Sequence, residues 1–185
     1  MRFFRYILGI WSFGGFHTDK ITFRVPSKNE YLNISEQIAV SYKAAYKGHM
    51  SDSYLSSLTS DYWVPILKES TDKGDTCLIA VRFPQIIGSA VFGNSDLNKE
   101  NDCALLHAIY LLPQYIGYGI GHQFYKVIEN KMLENGYQSC ILEVLSSNER
   151  AIHFYKKHGF IKTETLNIYE NGMDLICDKM KKVFI

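Results

Sequence analysis

The stretch from Leu111 to His122, Leu-Leu-Pro-Gln-Tyr-Ile-Gly-Tyr-Gly-Ile-Gly-His, constrains the fold of this chain more than any other. It joins an apolar strand-like run to an amphipathic helical pattern, with Gly117, Gly119 and Gly121 on alternate positions. Glycine reaches left-handed backbone conformations without strain, so such a corner turns sharply and lets an anion come close to main-chain groups. The following helix aims its unpaired first-turn N–H groups and the positive end of its dipole at the same point. Together these make a seat for a phosphate. A tight strand-to-helix turn without a ligand shows the same pattern, so two later stretches have to decide.

The chain before the corner supplies a sheet and helices to cover it. Ile21 to Val25 is expected to form a short strand ended by Pro26, and Ser27-Lys28-Asn29-Glu30 a capping box that opens a helix. That helix carries its stripe at Tyr31, Ile34, Ile38, Tyr42 and Ala45 and stops near Gly48. A second helical pattern, with Leu55, Leu58 and Tyr62, begins after Ser51-Asp52, and Pro65 is expected to break or kink it. Thr76 to Phe83 and Ile86 to Phe92 are joined so tightly that they predict a hairpin, and Asp96 to Asp102 is polar and loop-like. Cys103 to Leu112 is apolar except for His107, which predicts a central strand buried on both faces.

Beyond the corner, Ile120, Phe124, Val127, Ile128 and Met132 mark a helix that ends at Asn135-Gly136. Gln138 to Leu145 is a strand and Asn148 to His158 a short helix closed by Gly159. Phe160 to Thr165 begins an antiparallel pair completed near Asp174 to Met180. Strand, two helices, three strands, helix, strand, helix, two strands is a mixed α/β order. Residues 21–185 form a single domain by this reading, since no repeat or linker divides them.

Charge and cysteine usage argue against several function classes. The balance of 20 basic against 19 acidic residues leaves +1, no electrostatic footprint for nucleic acid. Cys77, Cys103, Cys140 and Cys177 lie far apart, and three of them fall in strand-like runs, as expected of reduced, buried thiols. The six histidines show no helical metal-ligand spacing, so no metal is predicted. Residues 1–20 form an apolar extension with Arg2 and Arg5 before a run through Trp11 and Phe16. It lacks a small-residue cleavage site and is too short to span a bilayer, so it is expected to pack on the domain or on a partner chain. A cytoplasmic location is expected, and a homodimer would suit such an arm.

Three runs together resemble the GNAT N-acetyltransferase family: Ile109-Tyr110-Leu111-Leu112-Pro113, then Gly117-Tyr118-Gly119-Ile120-Gly121, then Asn148-Glu149-Arg150-Ala151-Ile152-His153-Phe154-Tyr155-Lys156-Lys157-His158-Gly159-Phe160. The likeness covers the chain from about Ile21 onward in element order. It implies the acyl-CoA N-acyltransferase fold: a mixed, mostly antiparallel central sheet with helices on both faces. It also implies acetyl-CoA as cosubstrate. The family's turn holds the coenzyme pyrophosphate through main-chain N–H groups in a Gln/Arg-x-x-Gly-x-Gly/Ala frame. Gly119 and Gly121 match that frame, and Ile116 stands where Gln or Arg is usual. The resemblance thus assigns cofactor binding to Ile109, Tyr110, Leu111, Ile116, Gly117, Tyr118, Gly119, Ile120, Gly121, His122, Asn148 and Tyr155.

The chemistry this implies makes definite demands. Asn148 and Tyr155 lie two helical turns apart, roughly 10.5 Å along one face, which suits an extended ligand lying alongside. In the family the Asn contacts the pantetheine arm and the Tyr hydroxyl sits beside the thioester sulfur, so Tyr155 is the expected general acid. Asn148 also reads as a helix cap and Tyr155 as a packed aromatic. A primary amine with a reference pKa near ~10.4 is neutral in only about one molecule in a few thousand at pH 7, so a base or a desolvating site is required. Many family members carry a Glu where Leu105 stands, which leaves His107 and Glu143 as candidate bases; a satisfied core histidine is the plain alternative at His107.

By family geometry the acceptor amine, from a small molecule or a protein, enters near Tyr46, Gly48, His49, Asp52 and Tyr54. Asp52 also suits a helix cap. Tyr42 to Leu58 is similar to bacterial polyamine and small-amine acetyltransferases. A dinucleotide site beginning at Gly117 fails at His122, where its third glycine belongs. A non-catalytic acetyl-CoA-binding or regulatory module on the same fold is the other reading, to which Leu105 and Ile116 point.

Overall fold

The computed structural model describes residues 20–94, 102–170 and 172–184. The apolar extension therefore lies, except for Lys20, outside the described residues, as does most of the polar segment before Cys103. The strands are β1 (Ile21–Arg24), β2 (Thr76–Arg82), β3 (Gln85–Asn94), β4 (Cys103–Leu111), β5 (Ser139–Leu145), β6 (Ile161–Glu170) and β7 (Met173–Val183). They form one sheet in the order β1-β2-β3-β4-β5-β7-β6. Every pairing is antiparallel except that of β4 with β5. This is the mixed, mostly antiparallel sheet that the sequence implied.

Strand alternation divides the core into two layers. Cys77, Ile79 and Val81 of β2 pack with Ile34 and Ile38 of α1 (Tyr31–Tyr46) and Leu67 of α3 (Trp63–Asp72). Leu78 and Ala80 face the other way, toward Phe124, Tyr125, Ile128 and Met132 of α4 (Ile120–Glu134). Phe154 and Tyr155 of α5 (Glu149–Lys157) lie against the same layer. Helices thus cover both faces. All four cysteines are buried and free, and burial pushes the Cys77 thiol up to about 12, which leaves it an inert apolar side chain.

Two sequence expectations are corrected. The second helical pattern is two helices, α2 (Asp52–Ser57) and α3, so three helices precede β2. Pro65 does not end a helix; it stands in the first turn of α3, where its missing N–H has no intrahelical partner to lose. Ser51, rather than Asp52, caps α2 by accepting the Tyr54 N–H at 3.3 Å. The second correction concerns β4. Cys103, Ala104 and Leu106 are buried as predicted, but residues 107–111 are half-buried or exposed. The Glu30 carboxylate accepts the Ser27 N–H at 2.9 Å, so the predicted box forms, opening a single 3-10 turn before α1. Among the described residues no helix is long and apolar enough to cross a membrane.

Candidate functional site

The exposure of β4 has a definite origin. On one side β4 pairs with β3 as far as Leu111, which stands opposite Gly88. On the other it pairs with β5 only through Cys103, Ala104 and Leu105, opposite Ser139, Cys140 and Ile141. Beyond Leu105 the two parallel strands part, and main-chain groups of β4 that a neighbour would have satisfied face open space. A bulge adds to the divergence. Val91 stands opposite Ala108 and Phe92 opposite Leu106, so His107 is the extra residue. The bulge also changes the alternation: Ala104 and Leu106 face the α4 layer before it, Ile109 and Leu111 after it. No apolar pattern announces such a shift, which is why the sequence predicted an evenly buried strand.

A cleft of about 560 Å³ opens where the strands part. Its floor is β4 from Leu106 to Leu111, and the glycine corner and α5 form its walls. Gly117 and Gly119 adopt φ of +94° and +78°, left-handed values that favour glycine. Gly119 caps α4, and its carbonyl accepts the Gln123 N–H at 3.2 Å, so the N–H groups of the first turn precede the helix's own hydrogen-bond ladder. Gly121 is close to α5: a β-carbon there would sit 3.5 Å from the Phe154 ring. The Phe154 ring also lies 5.2 Å from that of His122.

The two predicted halves therefore meet in one place. Ile109, Tyr110, Leu111, Ile116, Gly117 and Gly119 line the cleft, and so do Gly121, His122, Asn148 and Tyr155. Both candidate bases, His107 and Glu143, line it as well. Two expected binding residues differ: Tyr118 is 77% exposed and Ile120 is buried in the core, so neither side chain lines the cleft and only their main chain belongs to the corner. Asn148 caps α5 as expected, its Oδ1 accepting the Ala151 N–H at 3.1 Å. Burial raises the Tyr155 phenol well above its ordinary value, with smaller contributions from Tyr46 and Cys140. Burial likewise raises Tyr110, beside Tyr46, Tyr42 and Tyr155. These phenols keep their protons at neutral pH and act as donors.

Several lining residues were not singled out from the sequence. Arg150, His153 and Lys157 bring cationic or titratable groups to the α5 wall. Their spacing of three and then four residues, about one turn each along one face of a short helix, is the signal that could have found them. Ser41, Ala44 and Ala45 place α1 against the cleft beside Tyr46. Of the expected acceptor contacts Tyr46 lines the cleft, whereas His49 bonds Ser147 at 2.8 Å beside a second, smaller depression. No cluster of metal-ligating side chains occurs among the described residues.

Comparisons with known proteins agree with this geometry. The Acetyltransferase (GNAT) family model matches residues 42–160. Thialysine N-epsilon-acetyltransferase of Sus scrofa is 26% identical over 131 residues, 70% of this chain and 70% of that protein. The PaiA N-acetyltransferase of Thermoplasma acidophilum, solved with coenzyme A, shares the fold with a TM-score of 0.70 at 24% identity, over 89% of this chain and 99% of that one. The yncA protein of Salmonella typhimurium, solved with acetyl-CoA, shares it at 0.68 and 18% identity, over 89% of this chain and 94% of that one.

Proposed function

The chain belongs to the acetyltransferase (GNAT) family, and from that premise we propose that it moves the acetyl group of acetyl-CoA to a primary amine by direct attack on the thioester. The observation that carries this reading is the convergence of the glycine corner, the free edge of β4 and the Asn148–Tyr155 face of α5 on one cleft. First-turn N–H groups of α4 bind the coenzyme pyrophosphate, and Ile116 in place of Gln or Arg weakens that contact without abolishing it. Asn148 lies along the pantetheine arm. Main-chain N–H groups of Ile109 to Leu111, on the edge that β5 has left, receive the oxyanion of the tetrahedral intermediate.

Tyr155 acts as general acid. Its raised phenol carries a proton at neutral pH and hydrogen-bonds the sulfur as the C–S bond breaks. His107 or Glu143 takes a proton from the acceptor's ammonium group and so frees the amine that attacks. A small-molecule amine is the favoured acceptor, on the likeness of Tyr42 to Leu58 to small-amine acetyltransferases and on the name of the thialysine enzyme. Thermal shift with acetyl-CoA and thiol release on a panel of polyamines, amino-acid derivatives, aminoglycosides and peptide N-termini test the reading together. Stabilisation with release on at least one amine is expected. Stabilisation without release on any of them would turn the assignment to a non-catalytic acetyl-CoA-binding module.

A further inference from the structure

Asp75 lies outside every motif, in the short turn between α3 and β2. Its carboxylate is nevertheless fixed on several sides. Its N–H donates to the Ser70 carbonyl at 3.1 Å, and the Ser70 hydroxyl donates to its Oδ2. The carboxylate then crosses β3 at Gly93, where a β-carbon would collide with it. Only a residue without a side chain leaves that path open. At the far end of the path Asp75 Oδ2 lies 3.4 Å from Nε2 of His107. The aspartate side chain is 17% exposed and the histidine 37%, so the pair is sheltered at the carboxylate and open at the imidazole. His107 is the extra residue of the β4 bulge, placed where the strand leaves β5 and enters the cleft.

We propose that Asp75 is a positioning residue for proton transfer, holding the His107 imidazole through Nε2 so that Nδ1 presents its lone pair to the acceptor amine. This rests on the acetyl-transfer reading above and decides between its two candidate bases. A carboxylate at ion-pair distance from Nε2 favours the tautomer protonated there and keeps the imidazolium formed on accepting a proton paired. The protons balance: one ammonium proton passes to Nδ1 directly or through water, the freed nitrogen lone pair forms the C–N bond, the C–S bond breaks as the thiolate takes the Tyr155 proton, the amide nitrogen sheds its second proton to restore the phenol, and the proton on His107 leaves to solvent. The other ionisable groups lining the same cleft are Tyr46 on α1, Tyr110 on β4, His122 on α4, Glu143 on β5, and Arg150, His153, Tyr155 and Lys157 on α5. Glu143 stands two residues past the last β4–β5 pair, as His107 does, and lines the same cleft, where its carboxylate attracts a cationic acceptor.

Asp75→Asn, His107→Gln, Glu143→Gln and the Asp75→Asn/His107→Gln double variant are measured against wild type for thiol release across pH, with the acetyl-CoA-dependent thermal shift as a check on folding. Asp75→Asn is expected to lower kcat roughly tenfold or more, leave the KM for acetyl-CoA unchanged and displace the acidic limb of the profile. His107→Gln is expected to remove that limb, and the double variant to be no slower than His107→Gln alone, because Asp75 acts only through the imidazole. Additive losses, an unmoved limb in Asp75→Asn, or a limb removed by Glu143→Gln would overturn the proposal. If Asp75→Asn loses the thermal shift, His107→Gln alone decides, since a retained acidic limb overturns the proposal. A wild type that releases thiol on no amine overturns the transferase reading itself, whereas an active wild type with an unmoved limb overturns only the role of Asp75.

Discussion

His122, in the first turn of α4, and His158, at the C-terminal end of α5, meet with Nδ1 and Nε2 2.8 Å apart. Phe154 packs against both imidazoles, at 5.2 Å and 4.7 Å between ring centres. The glycine corner and the Asn148–Tyr155 helix are thereby joined into one rigid wall of the cleft, though 36 residues separate the two histidines.

This contact predicts a pH dependence of stability. Burial first, then His122, Lys182 and Lys126, hold the His158 imidazole down from 6.5 to about 4. Above pH 6.5 it is neutral in folded and unfolded chains alike. As pH falls from 6.5 toward 4 the unfolded chain takes up a proton that the folded chain refuses, so stability is lost across that window. The Glu30 carboxylate, held down to about 2 chiefly by Arg24, loses its contribution only at lower pH, below its unfolded value of 4.5. The melting temperature should therefore decline between pH 6.5 and 4 in the wild type, and His158→Gln should flatten that decline.

Tyr155→Phe removes a hydroxyl while keeping a ring that packs 5.6 Å from Phe160 and 5.4 Å from Phe154. Turnover should fall at least tenfold with little change in acetyl-CoA affinity, as general-acid help contributes roughly 10²- to 10⁴-fold. Steady-state kinetics beside calorimetric titration with acetyl-CoA check this; unchanged turnover would take Tyr155 out of the acid role.

At Gly119 a β-carbon meets no atom within 4 Å, yet φ is +78°. Gly119→Ala therefore introduces strain without a clash, about 1–2 kcal/mol for a left-handed alanine. The corner relaxes away from that conformation, and acetyl-CoA affinity should drop roughly tenfold, the equivalent of about 1.4 kcal/mol. Calorimetric titration reads the loss, and an alanine variant that binds as well as wild type would show that the main chain of the corner carries no part of the coenzyme.

Phe92, fully buried on β3, meets the Tyr137 ring edge-on at 6.5 Å. Phe92→Ala leaves a cavity under the sheet and should cost about 3–5 kcal/mol, measured by urea denaturation. Phe92 itself does not line the cleft, so the Michaelis constant for acetyl-CoA should stay within about twofold in the fraction that remains folded; a larger change would show that the core layer and the cleft are coupled through Leu106 and Phe124.

Much of this protein is written locally. The stripe from Ile120 to Met132, the cap at Asn148 and the tight hairpin over residues 76–92 are short-range patterns, and each produced the element it predicted because propensity and burial agree there. Gly117 and Gly119 could be read as a corner because only glycine takes their φ cheaply. Pro65 misled because the penalty of proline depends on whether its missing N–H falls inside a helix or in its first turn, and the helix start is fixed by packing of α3 on the sheet. Tertiary structure alone decided the cleft. The parting of β4 from β5 after Leu105, the bulge at His107 and the passage of Asp75 over Gly93 all depend on pairings between residues distant in sequence. Such pairings leave no period in the chain, so the sequence could name the two halves of the site but not the opening between them or the carboxylate beneath it.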